Sequence, residues 1–267
     1  MRQRSNQCTF EVTTSLGETK QMPSFAVMIA AAGKSARYKD DHYKKQFAPL
    51  KNRAVWLHSA ERFLNRDDVK QTIVIIDAED REMFIGKFGA NIAIMGIDVV
   101  EGGTTRAESV KNGLEQVRDD IDFVAVHDAA RPCIADVWID DLFSTAAEHG
   151  AAVLGIPVSS SLKRVEQSTI TDSISRDGVW ESQTPQVFAR QTLVDAYVQV
   201  ADAHTATDEA ELVQRNGVSV RVVHGSPLNL KITTKGDLRF AEIALSVLPK
   251  KSISGPAHPF GDDDMWR

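Results

Sequence analysis

Residues 25–47 read FAVMIAAAGKSARYKDDHYKKQF, and the change of character partway along this stretch decides the fold. Its opening is an unbroken apolar run, far shorter than the roughly 20 residues a membrane span needs and of the length of a strand buried on both faces. The run gives way to small residues around Gly33, then to a loop in which Lys34, Arg37, Lys39, Lys44 and Lys45 outweigh Asp40 and Asp41. A buried strand that empties into a glycine-bearing cationic loop fits an open parallel sheet, where ligands bind beyond the carboxyl ends of the strands. The spacing is neither the GxxxxGK[ST] of a Walker A loop nor the GxGxxG of a dinucleotide site. Small residues let backbone N–H groups approach a phosphate; the plain alternative is a solvated charged loop.

Working outward, strand and helix signals alternate. Leu57, Ala60 and Leu64 predict a helix over 55–65. QTIVII (71–76) predicts a strand, 78–88 a helix, and IDVVEGG (97–103) a strand running into a glycine turn. Val110, Leu114 and Val117 predict a helix over 107–117. DFVAVHDAARP (122–132) reads as a strand opening into a loop, 137–149 as a helix and AAVLGIPV (151–158) as a strand. This alternation predicts an α/β fold, a mainly parallel sheet with helices on both faces. The polar, β-leaning residues 159–180 interrupt it and predict a hairpin arm projecting from the sheet. Helices over 190–201 and 208–216, strands over 219–224 and 230–233 and a last helix over 235–248 complete the pattern. The expected organisation is a loose extension over 1–22, one domain over 23–248 with its arm at about 159–180, and a disordered tail over 249–267.

Composition narrows the function. Among 267 residues, 31 Lys and Arg face 37 Asp and Glu, a net charge of −6, which argues against a nucleic-acid-binding surface relying on a bulk positive field. A small anionic substrate needs only local cations. The 42% apolar and 25% charged fractions are those of a soluble globular protein. Cys8 and Cys133 make neither a disulfide framework nor metal spacing and read as free thiols. The N-terminus lacks a continuous apolar signal segment. The expectation is a cytoplasmic protein with no membrane partner.

Three further stretches could carry chemistry. In EGGTTRAESV (101–110), Gly102 and Gly103 form a turn and Thr105 with Glu108 fits a capping box, either an ordinary helix start or a nucleotide contact at one. In VHDAARP (126–132), Asp128 ends an apolar strand, where a lone carboxylate is costly unless paired or bound to metal. It either pairs with Arg131 or serves Mg²⁺ and phosphates, since Mg²⁺ takes one or two carboxylates plus substrate oxygens. His127 reads as a satisfied strand residue. Downstream lie Arg176, Thr184, Thr207 before two acids, and Asn229-Leu230-Lys231-Ile232-Thr233.

Taken in order, AAGxxxR, KQF, GGxxRxxSV, HDAARP, RxGxW, TPQ, TDE and NxKIT resemble the 2-C-methyl-D-erythritol 4-phosphate cytidylyltransferases of the non-mevalonate isoprenoid pathway, over Phe25 to Leu248. The resemblance implies a Rossmann-like nucleotidyltransferase fold with a protruding β-arm and a homodimer formed through that arm. It implies CTP and a sugar-alcohol phosphate as substrates, pyrophosphate as the leaving group and Mg²⁺ as cofactor. Carried over by position, Arg37, Lys45, Arg176 and Lys231 would be catalytic. Ala31, Ala32, Gly33, Gly103, Arg106, Ser109 and Asp128 would hold the nucleotide, Asp128 also the metal, and Arg131, Ser161, Thr184 and Thr207 the acceptor. Lys44 competes with Lys45 for the triphosphate. Ser159-Ser160-Ser161 stands where the family commonly has an Asp-Thr pair, which touches the acceptor side. Ribitol 5-phosphate as acceptor, or nucleotide binding without catalysis, are the alternatives.

Overall fold

The computed structural model describes residues 22–38, 40 and 42–250. The expected extension, Met22 excepted, and the expected tail beyond Lys250 lie outside the described residues, as do Cys8, Lys39 and Asp41.

The chain runs β1 (Phe25–Ala30), the minimal hairpin β2 (Pro49–Leu50) and β3 (Arg53–Ala54), α1 (Val55–Leu64), β4 (Val69–Ile76), α2 (Arg81–Met95), β5 (Asp98–Glu101), α3 (Arg106–Leu114), β6 (Phe123–Asp128), α4 (Asp136–His149) and β7 (Ala151–Pro157). There follow β8 (Leu162–Glu166), β9 (Thr169–Ile174), β10 (Trp180–Ala189), α5 (Arg190–Gln199), α6 (Glu209–Arg215), β11 (Arg221–His224) and α7 (Lys235–Ala244). Seven strands form one sheet in the order β11-β7-β10-β6-β1-β4-β5. Its pairings are parallel except those of β10, which runs antiparallel to both neighbours. The fold is thus the expected mixed α/β architecture with a mainly parallel sheet.

The pleat explains why β1 is apolar throughout. Successive side chains point to opposite faces. Phe25, Val27 and Ile29 join a core with α1, α2 and α4, while Ala26 and Met28 join a second with α3, α5 and α6. On the first face Phe25 stacks on Phe143 of α4, ring centroids 4.0 Å apart. A third core, including Tyr38, Leu50, Cys133 and Ile232, seats α7 against the rim. Each large side chain so buried contributes about 1.5–3 kcal/mol of transfer free energy. Because β1, β4, β5 and β6 run parallel, the loops that follow them open at one end of the sheet.

Two expectations fail. Leu230–Thr233 is not a strand: its alternating pattern seats Ile232 in the third core, while the Ile232 N–H donates to the Ala130 carbonyl at 2.8 Å outside any ladder. Conversely, β10 escapes prediction, because Gln183, Thr184, Pro185 and Gln186 look like a loop. Proline has no N–H to donate to a ladder, and the pairing with β7 shifts register between Ser182 and Gln186 to pass it. The arm forms as a two-stranded antiparallel ribbon of β8 and β9.

Candidate functional site

At the carboxyl end of β1, β5 and β6 lies a cleft of about 260 Å³. One wall is the turn Ala31-Ala32-Gly33, which follows β1. The opposite wall is the start of α3, where Gly103, Arg106 and Ser109 face in. These walls touch: a Cβ on Gly102 would sit 2.7 Å from Ser109 Oγ and 2.8 Å from Ala32 Cβ, so only glycine fits. Thr105 caps α3 in the expected capping box with Glu108. Asp128, Lys45 and Lys231 close the base. Larger hollows of about 430 and 840 Å³ open around Arg66 and Asp140, at the end where β1 and β6 begin. They lack this convergence of glycine turns and cations.

Asp128 organises the base. Lys231 Nζ lies 2.6 Å and Arg131 Nε 3.6 Å from its Oδ2. Burial works against ionisation, yet Lys231, Arg106 and Arg131 hold the carboxyl well below the usual carboxylate range. The expected pairing with Arg131 forms as a 3.6 Å ion contact, and Asp128 also lines the cleft. Arg131 in turn donates to the Asn229 carbonyl at 2.7 Å, and Asn229 Nδ2 to the Thr184 carbonyl at 2.9 Å. These bonds fix the irregular segment that carries Lys231.

The two candidate lysines part company here. Lys44 turns to Asp80 at 2.7 Å and Asp77 at 3.8 Å. Lys45 lines the cleft; burial lowers its pKa, and Lys231 adds to the lowering. Arg37 is exposed and lines a neighbouring hollow with Lys45 and Thr233.

Other expected residues stand apart from the cleft lining. Thr184 is buried beneath it, accepting the Asp128 N–H at 3.0 Å and meeting His127 Nδ1 at 3.2 Å. His127 is fully buried, its Nε2 bonded to the Arg131 carbonyl, and burial pushes it down to about 4. Thr207 is spent on α6: its N–H and hydroxyl donate to Glu211, while Asp208 is the N-cap. Ser161 and Arg176 sit exposed at the base of the arm, where Arg176 donates to the Ser159 carbonyl.

Sequence reasoning missed Glu209, which holds Arg106 through two bonds of 2.6 and 2.8 Å. It is 1% exposed. Its pairing with Tyr197 at 3.4 Å completes a pocket in which burial opposes the guanidinium's charge, but Glu209 and Asp128 hold it protonated. Glu209 was visible only as the acid of TDE. Among the described residues, no cluster of three or more His, Cys, Asp or Glu forms a metal cage. No helix there is long and apolar enough to cross a membrane.

Comparison with known proteins converges. A family model described as 2-C-methyl-D-erythritol 4-phosphate cytidylyltransferase matches residues 25–247. A protein of that name from Rhodopirellula baltica is 38% identical over 234 residues, covering 84% of this chain and 95% of the relative. Another from Bacillus velezensis is 37% identical over 220 residues, covering 82% and 94%. The crystal structure of the Francisella tularensis 2-C-methyl-D-erythritol 4-phosphate cytidylyltransferase superposes with a TM-score of 0.70 at 28% identity, covering 83% of this chain and 100% of that one.

Proposed function

Because the chain belongs to the 2-C-methyl-D-erythritol 4-phosphate cytidylyltransferase family, we propose that it transfers the cytidylyl group of CTP to 2-C-methyl-D-erythritol 4-phosphate in isoprenoid precursor synthesis. The products are 4-diphosphocytidyl-2-C-methyl-D-erythritol and pyrophosphate. A phosphate oxygen of the acceptor forms a bond to the α-phosphorus of CTP, and the bond from that phosphorus to the bridging oxygen of the β-phosphate breaks. Pyrophosphate leaves with the electron pair.

The nucleophile is already ionised at neutral pH, so the reaction needs no strong general base. The barrier is repulsion between two anions and charge gathering on the leaving group, which positioned cations lower. The observation that carries the reading is the meeting of Lys231, Lys45 and Arg106 around Asp128 in one glycine-walled cleft. Ala31, Ala32, Gly33, Gly103 and Ser109 would hold the nucleotide. Lys45, with Arg37 in the neighbouring hollow, would grip the triphosphate. Lys231, with Arg131 behind it, would steer the acceptor phosphate.

The donor set fits a divalent cation that arrives with the triphosphate: Asp128 is an ionised carboxylate facing the cleft, Lys231 and Arg131 both contact its Oδ2, and substrate phosphates supply the other oxygens. Asp128 would hold such a Mg²⁺, which when bound neutralises phosphate charge.

The arm supports a homodimer. Val165, Ile170 and Ile174 are 55%, 62% and 40% exposed on it, and a lone two-stranded ribbon is marginal in water. A second copy covering this ribbon would bring Ser161 and Arg176, which do not line their own cleft, toward the acceptor. Pyrophosphate release from CTP, assayed with 2-C-methyl-D-erythritol 4-phosphate and with ribitol 5-phosphate, tests the reading. Turnover is expected with the first; turnover with ribitol 5-phosphate alone overturns the acceptor assignment, and CTP binding without turnover overturns catalysis.

A further inference from the structure

Gln46 is 1% exposed and sits in the single helical turn Lys45–Phe47. Its amide is spent on one loop. Nε2 donates to the Ala31 carbonyl at 2.7 Å and the Gly33 carbonyl at 3.0 Å. Oε1 accepts from the Ser35 hydroxyl at 2.9 Å. Ser35 Oγ in turn accepts the Lys45 N–H at 3.1 Å. Ser35 has φ +56°, in the left-handed region that a residue with a Cβ adopts at a cost of about 1–2 kcal/mol, so this turn needs holding.

We infer that Gln46 is a positioning residue for the nucleotide phosphates, setting the direction of the loop's N–H groups and tying that loop to Lys45. In a planar trans peptide the C=O and N–H point opposite ways. Drawing the carbonyls of Ala31 and Gly33 onto Gln46 turns the N–H groups of Ala32 and Lys34 away from it. Backbone N–H groups turned to the same side of a loop attract an anion. The Ser35 hydroxyl extends the brace to the backbone of Lys45, so the loop donors and the Lys45 backbone are held together. The brace asks for two donors and an acceptor on one uncharged group of this length: glutamate has no donor when ionised, and methionine has no donor and only a weakly accepting sulfur.

This inference rests on the cytidylyltransferase reading. Its test uses the full chain and Gln46→Met, which keeps length and adds no charge. The CTP dissociation constant is measured by calorimetry, and KM for CTP and for the acceptor by pyrophosphate release. Gln46→Met is expected to weaken CTP binding by about 10- to 100-fold, in line with misaligned groups and an unpaired buried Ala31 carbonyl, while the acceptor KM stays within about twofold of wild type. CTP binding as tight as wild type, or equal loss for both substrates, overturns the inference. If the melting curve shows that Gln46→Met has unfolded, Ser35→Gly decides: glycine accepts the backbone and removes only the hydroxyl. Weaker CTP binding then supports the brace, and unchanged binding overturns it. A wild-type chain that binds CTP but releases no pyrophosphate overturns the catalytic reading instead, and the calorimetric arm still judges Gln46.

Discussion

The base of the cleft and the arm are built on opposite plans. In the cleft, Arg106 meets Glu209, and Arg131 and Lys231 both meet Asp128, all within one chain. On the arm, every residue of β9 is exposed, and Val165 and Ile170 stand more than half in solvent. The cleft proposed to take the nucleotide is therefore organised by contacts within the chain itself. The arm leaves Val165, Ile170 and Ile174 uncovered, so on the proposed reading the acceptor contacts of Ser161 and Arg176 depend on assembly while those to CTP do not.

The strongest way to break this contrast is at the two neighbouring lysines. Lys45→Ala is expected to lower kcat by about 10²–10³, by analogy with loss of one fixed donor to a developing charge. Lys44→Ala is expected to stay within about threefold in kcat, since Lys44 is engaged by Asp80 and does not line the cleft. Equal losses would mean that Lys44 leaves Asp80 when CTP binds. Arg176→Ala sharpens the other half. It should reduce kcat/KM for the acceptor by about 10² while CTP affinity, read by calorimetry, is unchanged. A matching loss of CTP affinity would put Arg176 on the nucleotide instead.

The smallest expected effect concerns acid. His127 is held neutral down to about 4 by burial, whereas an unfolded histidine titrates near 6.5. Between these values the unfolded chain binds the extra proton, so stability falls as pH drops through this window and changes no further on this account below it. The loss reaches about 2 kcal/mol by pH 5. Denaturant melts of His127→Asn at pH 7 and pH 5 should show a shallower decline than wild type. An arm-side substitution such as Val165→Ser should leave the slope as it is; parallel slopes for wild type and His127→Asn would rule His127 out.

What could be read from the sequence follows the range of the forces involved. β1, β4 and β7 were legible because burial on both faces leaves a continuous apolar run. The start of α3 was legible because Thr105 and Glu108 cap it within one turn. β10 was hidden, since its polar stretch around Pro185 has no period, and Leu230–Thr233 imitated a strand through one buried Ile232. Glycines and cations of the cleft stood out locally. Glu209 did not, because its partner Arg106 lies 103 residues away and nothing in TDE announces a buried acid. The choice between Lys44 and Lys45 was equally hidden, because it depends on Asp77 and Asp80 in a distant loop.

The carboxylate of Asp128 has a consequence for selection among anions. It already engages Lys231 and Arg131, where the proposed function puts phosphate charge. A solute of single charge, chloride or a lone carboxylate, offers Lys231 nothing that it does not already hold at 2.6 Å. On the proposed reading a phosphate dianion brings Lys231 more charge than Asp128 does, and a triphosphate brings Lys45 more still. On that reading the base of the cleft favours multiply charged solutes over singly charged ones, through a single acid in a protein that is itself negatively charged.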